Sequence, residues 1–342
     1  MIEPNEIIDI SPKREIDVSI VIPTRDRTDM LLKAFVSLQK QTLTRFEVII
    51  VDNGPFENDT RKLVMELMRE DPRIIYVNLT NGNLETARNV GCSISRSDVV
   101  LLTDDDWEMT NPVSLQYIVD RFTNDLQLGV LGISHDYAAS YPTTTWKARI
   151  RLLLSRLYKP GKISRWGRVT ARFYALPAGQ RYNVDHVRGC CLSFRRVVGN
   201  DAGLFPTLYV YKGIGYRSET EFCRRVAQKG YKVVFSSEIL GIHKVSNRSA
   251  SIMPRFQTLE KMRYLARAHL LFMLRNYWSP LTAPIFALLD LLIGNSSQPG
   301  AIRLLISFRY FGKINIVSAS VQGKWQGIIE YYTKYHDIIT NT

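Results

Sequence analysis

The sequence contains no C-x-x-C pair and only four cysteines, Cys92, Cys190, Cys191 and Cys223, two of them adjacent. Adjacent cysteines seldom bridge each other, so buried or free thiols are expected rather than a disulfide framework or a thiolate zinc site. No run of 18 apolar residues occurs. The longest candidate, residues 281–293, is broken by Pro284 and Asp290 and is short for a bilayer span. The opening residues, Met1-Ile2-Glu3-Pro4-Asn5-Glu6, are acidic and lack the apolar stretch of a secretory signal. Internal repeats and low-complexity tracts are absent. Neither G-x-G-x-x-G after the first strand nor G-x-x-x-x-G-K-[ST] is present, which argues against a dinucleotide dehydrogenase and a P-loop ATPase. Acidic residues are missing from one long stretch: residues 137–184 hold no Asp or Glu and ten Lys or Arg.

What is present is an ordinary globular composition, 45% hydrophobic, 23% charged and 11% aromatic, over 342 residues. That length suits one main domain and a smaller C-terminal part. The formal net charge is +13, and the last 92 residues carry ten Lys or Arg against four acids. Such asymmetry favours an anionic partner: a membrane surface, a diphosphate or nucleic acid.

Short apolar runs alternate with amphipathic segments. Residues 18–23, 46–52, 74–77 and 99–102 read as buried strands, and residues 29–41, 60–70 and 85–95 as helices between them. The first ~15 residues precede this pattern and read as a tail. The alternation predicts an α/β fold with a mainly parallel sheet, whose ligands bind at the turns after the strands. Those turns are polar: Pro23-Thr24-Arg25-Asp26-Arg27, then Asp52-Asn53, then Thr103-Asp104-Asp105-Asp106. Three adjacent carboxylates repel one another, and a divalent cation compensates them well; an acidic helix start is the competing reading. Further on, residues 218–230 and 256–277 read as helices and 231–235 as a strand. Residues 146–157 place Trp146, Ile150, Leu153, Leu154 and Leu157 on one helical face opposite basic side chains, as in helices that lie in a membrane interface or cover a core.

Residues 19–107 resemble the nucleotide-sugar-binding half of the family 2 glycosyltransferases with the GT-A fold. The resemblance rests on Ile20-Val21-Ile22-Pro23-Thr24-Arg25, Val51-Asp52-Asn53, Asn81-Gly82-Asn83 with Ala87-Arg88-Asn89-Val90-Gly91, and the acid triplet, in that order. It implies that Pro23, Thr24 and Arg27, and less strongly Asp26, line a nucleotide pocket. It implies that Asp52 accepts a base N–H, with a turn cap as the alternative, and that Arg88, Asp104 and Asp105 contact the donor. Asp106 would ligate Mn2+ or Mg2+, with His243 of Gly241-Ile242-His243-Lys244 beside it. Residues 187–196 look like the family's Gly-rich acceptor-side strand, and residues 215–225 like its catalytic-base segment. There Ser218 and Glu219 stand where the family commonly has Glu and Asp. Glu219 is the expected base; Glu221, or a purely helix-capping role, is the alternative. His135, His186, His269 and His336 have no comparable support.

The implied organisation is a tail at 1–16, a GT-A-like domain at 17–245 divided near 107, and a helical, membrane-associated region at 246–342. The implied activity is inverting sugar transfer from a nucleoside-diphosphate donor, UDP first, to a glycan or lipid-linked hydroxyl. The implied place is the cytoplasmic face of an anionic membrane, with no nucleic acid partner. The competing functions are a nucleotidyltransferase that makes such donors, a non-catalytic membrane- or nucleic-acid-binding protein, and an inactive transferase.

Overall fold

The structure, a computed structural model, describes residues 3–12, 15–80, 82–135, 161–164, 167, 179–211, 214–244, 258–295, 298–302 and 313–335. The basic helix expected over 146–157 lies outside the described residues. The chain divides into two compact units, one of residues 1–162 and 170–245 and one of residues 163–169 and 246–342.

The first unit is built on a sheet of ten strands. In chain order these are β1 (Glu6–Asp9), β2 (Val18–Thr24), β3 (Phe46–Asp52), β4 (Ile74–Asn78), β5 (Val99–Thr103), β6 (Trp107–Met109), β7 (Leu128–His135), β8 (Arg181–Asn183), β9 (Cys191–Arg195) and, after the small hairpin β10 (Val210–Tyr211) and β11 (Ile214–Gly215), β12 (Lys232–His243). Their spatial order is β1-β4-β3-β2-β5-β9-β7-β12-β6, with β8 on β12. The central run β4-β3-β2-β5 is parallel. Every residue of β2, β3, β4 and β5 is buried, the pattern of strands covered on both faces. Side chains alternate across the sheet. Val48 and Ile50 enter one core layer with Leu31 and Phe35 of α1 (Thr28–Gln39), Val64 of α2 (Asp59–Glu70) and Ile118 of α4 (Ser114–Asn124). Ile49 and Val51 enter the other with Ala87 and Val90 of α3 (Leu84–Ile94). Phe222 and Val226 of α6 (Ser218–Gln228) join that second layer. The short α5 (Arg196–Asp201) follows β9 directly.

Residues 6–9, expected within a tail, form β1, paired antiparallel with β4 from Glu6↔Asn78 to Asp9↔Ile75. Four residues are too few to display a periodicity. The strand after α6 runs past the expected 231–235 to His243 because it changes partners. One edge pairs parallel with β7 as far as Gly241, with register shifts after Lys232, Ser236 and Ile239, while the other edge passes from β8 to β6, both antiparallel. That irregularity carries Gly241-Ile242-His243 to the sheet edge beside the acid triplet.

The second unit holds α7 (Thr258–Asn276), α8 (Ala283–Leu292) and α9 (Ile314–Glu330). Gly323 and Gly327 let the α9 backbone lie against the carbonyls of Arg263 and Arg267, where a Cβ would meet main-chain atoms. Lys324, fully buried between them, holds Asp290 of α8 at 2.9 Å. Among the described residues, no helix is long and apolar enough to cross a membrane.

Candidate active site

The acid triplet follows β5, and its three carboxylates go different ways. Asp105 turns to the loop after β2, where Thr24 Oγ1 donates to Oδ2 at 2.8 Å and Arg27 Nη1 to Oδ1 at 2.5 Å. Burial pushes Asp105 up to about 7 even against the Arg27 charge. Arg27 Nη2 continues to Asp106 Oδ2 at 2.6 Å, so one guanidinium ties two neighbouring acids. Thr24 and Pro23 are themselves buried at the end of β2, where pairing with β5 has already stopped at Val21↔Leu102. A proline there forfeits no bond to β5.

Asp104 and Asp106 share the other side with His243. The register His243↔Trp107 and the hydrogen bond from Lys244 N to Asp106 O (2.8 Å) place the imidazole there. His243 Nε2 lies 2.9 Å from Asp106 Oδ1 and 3.9 Å from Asp104 Oδ2. Burial disfavours the imidazolium, but Asp106 and then Asp104 outweigh it, so the His243 pKa rises. Burial likewise opposes the Asp106 charge, and His243 and Arg27 overcome it, so Asp106 falls below the usual carboxylate range. For Asp104 burial wins over Arg88, and its pKa rises. One donor atom from each of Asp104, Asp106 and His243 lies within 4.8 Å of the others. Two carboxylate oxygens and one imidazole nitrogen form a fitting partial ligand set for Mn2+ or Mg2+, with the imidazole neutral when it ligates.

Arg88 joins this corner to the base segment. It sits on α3, whose start is capped by Asn83 Oδ1 accepting from Thr86 N at 3.0 Å. Its guanidinium is buried, with Nη2 on Asp104 Oδ1 (3.3 Å) and on the carbonyl of Gly189 (3.2 Å). Nη1 lies on Glu219 Oε1 at 3.0 Å. The pairing Thr103↔Cys191, continued by Asp104 N to Cys190 O at 3.2 Å, brings Gly189 alongside. A Cβ at Gly189 would overlap both Glu219 Oε1 and Arg88 Nη2, so any other residue here would push those two groups out of their present contact.

Glu219 stands in the first turn of α6, where the N-terminal dipole favours a carboxylate. Burial would raise its pKa, yet the Arg88 charge and a backbone N–H more than offset this, and Glu219 lies below the ordinary glutamate value. Glu221, the alternative base, accepts a short hydrogen bond from the Tyr209 hydroxyl and lies against Arg225 at 3.8 Å; the structure puts it in the packing of α6 rather than beside Arg88. Arg217, just before the helix, has φ of 77°, a left-handed conformation that a non-glycine residue adopts at a cost.

Asp52 is fully buried. Gly54 N donates to Oδ1 at 2.8 Å, Asn58 Nδ2 to Oδ2 at 2.8 Å and the Tyr76 hydroxyl to Oδ2 at 3.0 Å. The alternative reading as a turn cap thus describes its present bonds. Desolvation dominates these three and raises the Asp52 pKa. Two further groups carry no obvious signal in the sequence. His186 Nδ1 shares a 3.0 Å hydrogen bond with Thr220 Oγ1, and burial pushes its ring down to about 4, so it is neutral beside Glu219. Glu85, one turn before Arg88, is buried with Oε2 at 3.4 Å from Arg88 Nη1.

This layout, a parallel sheet with acids and a basic hub at its strand ends, has counterparts among known proteins. Residues 19–198, more than half of the chain, match the family model described as glycosyl transferase family 2. The chain belongs to glycosyl transferase family 2. As a glycosyltransferase of that family it is 28% identical to the chondroitin synthase of Escherichia coli over 111 residues, 32% of this chain and 16% of that one. It is 33% identical to the GalNAc(5)-diNAcBac-PP-undecaprenol beta-1,3-glucosyltransferase of Campylobacter jejuni over 96 residues, 27% of this chain and 30% of the relative. The matched segments therefore span under a third of either relative. Among solved structures, a mannosyltransferase from Pyrobaculum calidifontis in complex with GDP-Man and Mn2+ superposes with a TM-score of 0.55 at 14% identity, covering 97% of this glycosyltransferase and 91% of that chain. The shared fold is the GT-A fold, a mixed α/β architecture with a mostly parallel central sheet flanked by helices.

Proposed function

We propose that this glycosyltransferase moves a sugar from a nucleoside-diphosphate donor to an acceptor hydroxyl in one inverting displacement, with Glu219 as general base. One juxtaposition carries the reading. Glu219 and Asp104 occupy the two Nη nitrogens of Arg88, and Asp104 in turn shares a corner with Asp106 and His243. A base carboxylate is thereby fixed next to a divalent-cation ligand set, the two devices that the reaction needs at opposite ends of the reacting bond.

In this reading the acceptor oxygen bonds to the anomeric carbon as its proton passes to Glu219. The bond from that carbon to the donor phosphate breaks, and the diphosphate leaves with the electron pair. Attack and departure on opposite faces invert the centre, and no carboxylate nucleophile is required. Asp104, Asp106 and His243 would hold Mn2+ or Mg2+, which supplies Lewis acidity to the departing diphosphate. Arg88 keeps Glu219 ionised. UDP is the donor nucleotide we assign, on Asp52: a carboxylate has about four acceptor positions and three are taken, so a uracil N–H completes it once the pocket opens.

The test is nucleotide release from UDP-, GDP- and dTDP-sugars with Mn2+ or Mg2+. Release from one donor is expected, lowered by on the order of 10²–10³-fold in Asp106→Ala. Silence on all donors together with no metal-dependent nucleotide binding in calorimetry would overturn the assignment.

The acceptor we assign is a glycan or lipid-linked hydroxyl, reached from an anionic membrane face on the cytoplasmic side. The second unit supports this reading. Ile285, Leu288 and Leu292, spaced along one side of α8, are 63%, 56% and 37% exposed, Leu281 just before the helix is 90% exposed, and the one charged residue of α8, Asp290, is turned inward onto Lys324. An outward helix face without charge, in a unit rich in Lys and Arg, fits a lipid interface. Cosedimentation with anionic vesicles at low salt is expected, weakened about 10-fold or more by Ile285→Asp with Leu288→Asp. No sedimentation of the wild type would remove the membrane from the proposal.

A further inference from the structure

Family resemblance puts two acids at the head of α6, and this chain has Ser218-Glu219 there. The missing carboxylate reappears from another element. Glu85, on α3, is fully buried and reaches the same place: a Cβ on Gly215 would collide with Glu85 Oε1 and lie 3.1 Å from Ser218 Oγ. Glu85 Oε1 and Ser218 Oγ are both buried and face each other over that glycine, the Ser218 hydroxyl serving the Glu85 carboxylate. The other oxygen, Oε2, lies 3.4 Å from Arg88 Nη1, the nitrogen that also holds Glu219 Oε1 at 3.0 Å. A fully buried carboxylate is expensive unless its charge or its proton is used.

We propose that Glu85 is a positioning residue of this enzyme, supplying from α3 the carboxylate that Ser218 vacates on α6 and so holding Arg88 in the plane that presents Glu219 to the acceptor. The inference rests on Glu219 being the base. A guanidinium with contacts on one edge alone can swing about its Cδ–Nε bond. Arg88 is instead gripped on Nη2 by Asp104 and the Gly189 carbonyl and on Nη1 by both glutamates. Burial raises Glu85 to about 7, against the Arg88 charge and with that of Glu219, while Glu219 itself is lowered. Gly215 provides the opening through which an α3 side chain does the work of an α6 one.

The experiment compares the wild type, Glu85→Ser, Ser218→Glu and the exchanged double variant Glu85→Ser/Ser218→Glu, reading kcat and KM for metal-dependent nucleotide release together with thermal melting. Turnover by the wild type stands apart as the check on the transferase reading itself. Given that turnover, Glu85→Ser is expected to lose about 10²-fold in kcat with KM for the donor nearly unchanged, the cost of a misplaced catalytic group. The exchanged double variant is expected to recover most of that loss, because it restores one carboxylate to the same pocket. Should Glu85→Ser fail to fold, the similarly sized Glu85→Met, which fills the pocket without gripping Arg88, carries the comparison with the same expected split. Wild-type kcat in a folded Glu85→Ser or Glu85→Met protein would overturn the proposal, as would a folded double variant as inactive as the single one.

Discussion

Glu219→Gln should keep its fold and its metal-dependent hold on the donor nucleotide while losing kcat by on the order of 10²–10⁴-fold, the usual contribution of a positioned general base. Glutamine keeps the shape and the contact with Arg88 but cannot take a proton. Calorimetry of nucleotide binding beside single-turnover release separates the two effects. Equal kcat in the variant would move the base elsewhere, and Glu221 is a poor successor because the Tyr209 hydroxyl already holds it. The same contact bears on the pH profile. Glu219 lies below the ordinary glutamate value, so protonation of the base should not set the acidic limb of the wild-type profile. That limb should instead follow His243, whose pKa is raised and whose imidazole must be neutral to ligate.

Arg88→Met should be the most destabilising single change in the site, by about 3–5 kcal/mol, because it strands buried carboxylates without a counter-charge. Three acids depend on this guanidinium: Glu85, Asp104 and Glu219. The loss should vary with pH. Without Arg88 the burial that already raises Glu85 and Asp104 loses its main opponent at all three. A group whose folded-state pKa is raised adds stability below its unfolded value, near 4, and loses it as pH rises through the folded one. The variant should therefore approach the wild type at pH 4–5 and fall furthest behind at pH 8. Urea unfolding at both pH values decides it; identical curves for the two proteins at pH 8 would refute the hub.

The central sheet was readable from sequence because β2, β3, β4 and β5 are buried on both faces and so appear as unbroken apolar runs. Their ends show the acid triplet and Asp52 directly. The antiparallel half was less legible. β6 and β8 are short, and β12 changes partner on one edge in mid-course, a choice made by tertiary pairing rather than by local pattern. Nothing in the spelling of Asp104-Asp105-Asp106 tells which acid turns to Thr24 and Arg27 and which two to His243. That division follows from where β5 ends relative to β2. Glu85 escaped notice because an acid three residues before an arginine on a helix is ordinarily a solvated surface pair. Its burial arises from Gly215, some 130 residues away in the chain.

Arg27 and His243 give the triplet a further property. Two cationic side chains, one in the loop after β2 and one at the end of β12, already neutralise part of its charge within the fold. The corner is thus self-supporting, unlike small metalloproteins whose chains collapse only around their ion. On the proposed function, loading and folding would be separate events here: a cation and its nucleotide would come and go with each turnover, trading places with resident charges, while the scaffold around them keeps its shape.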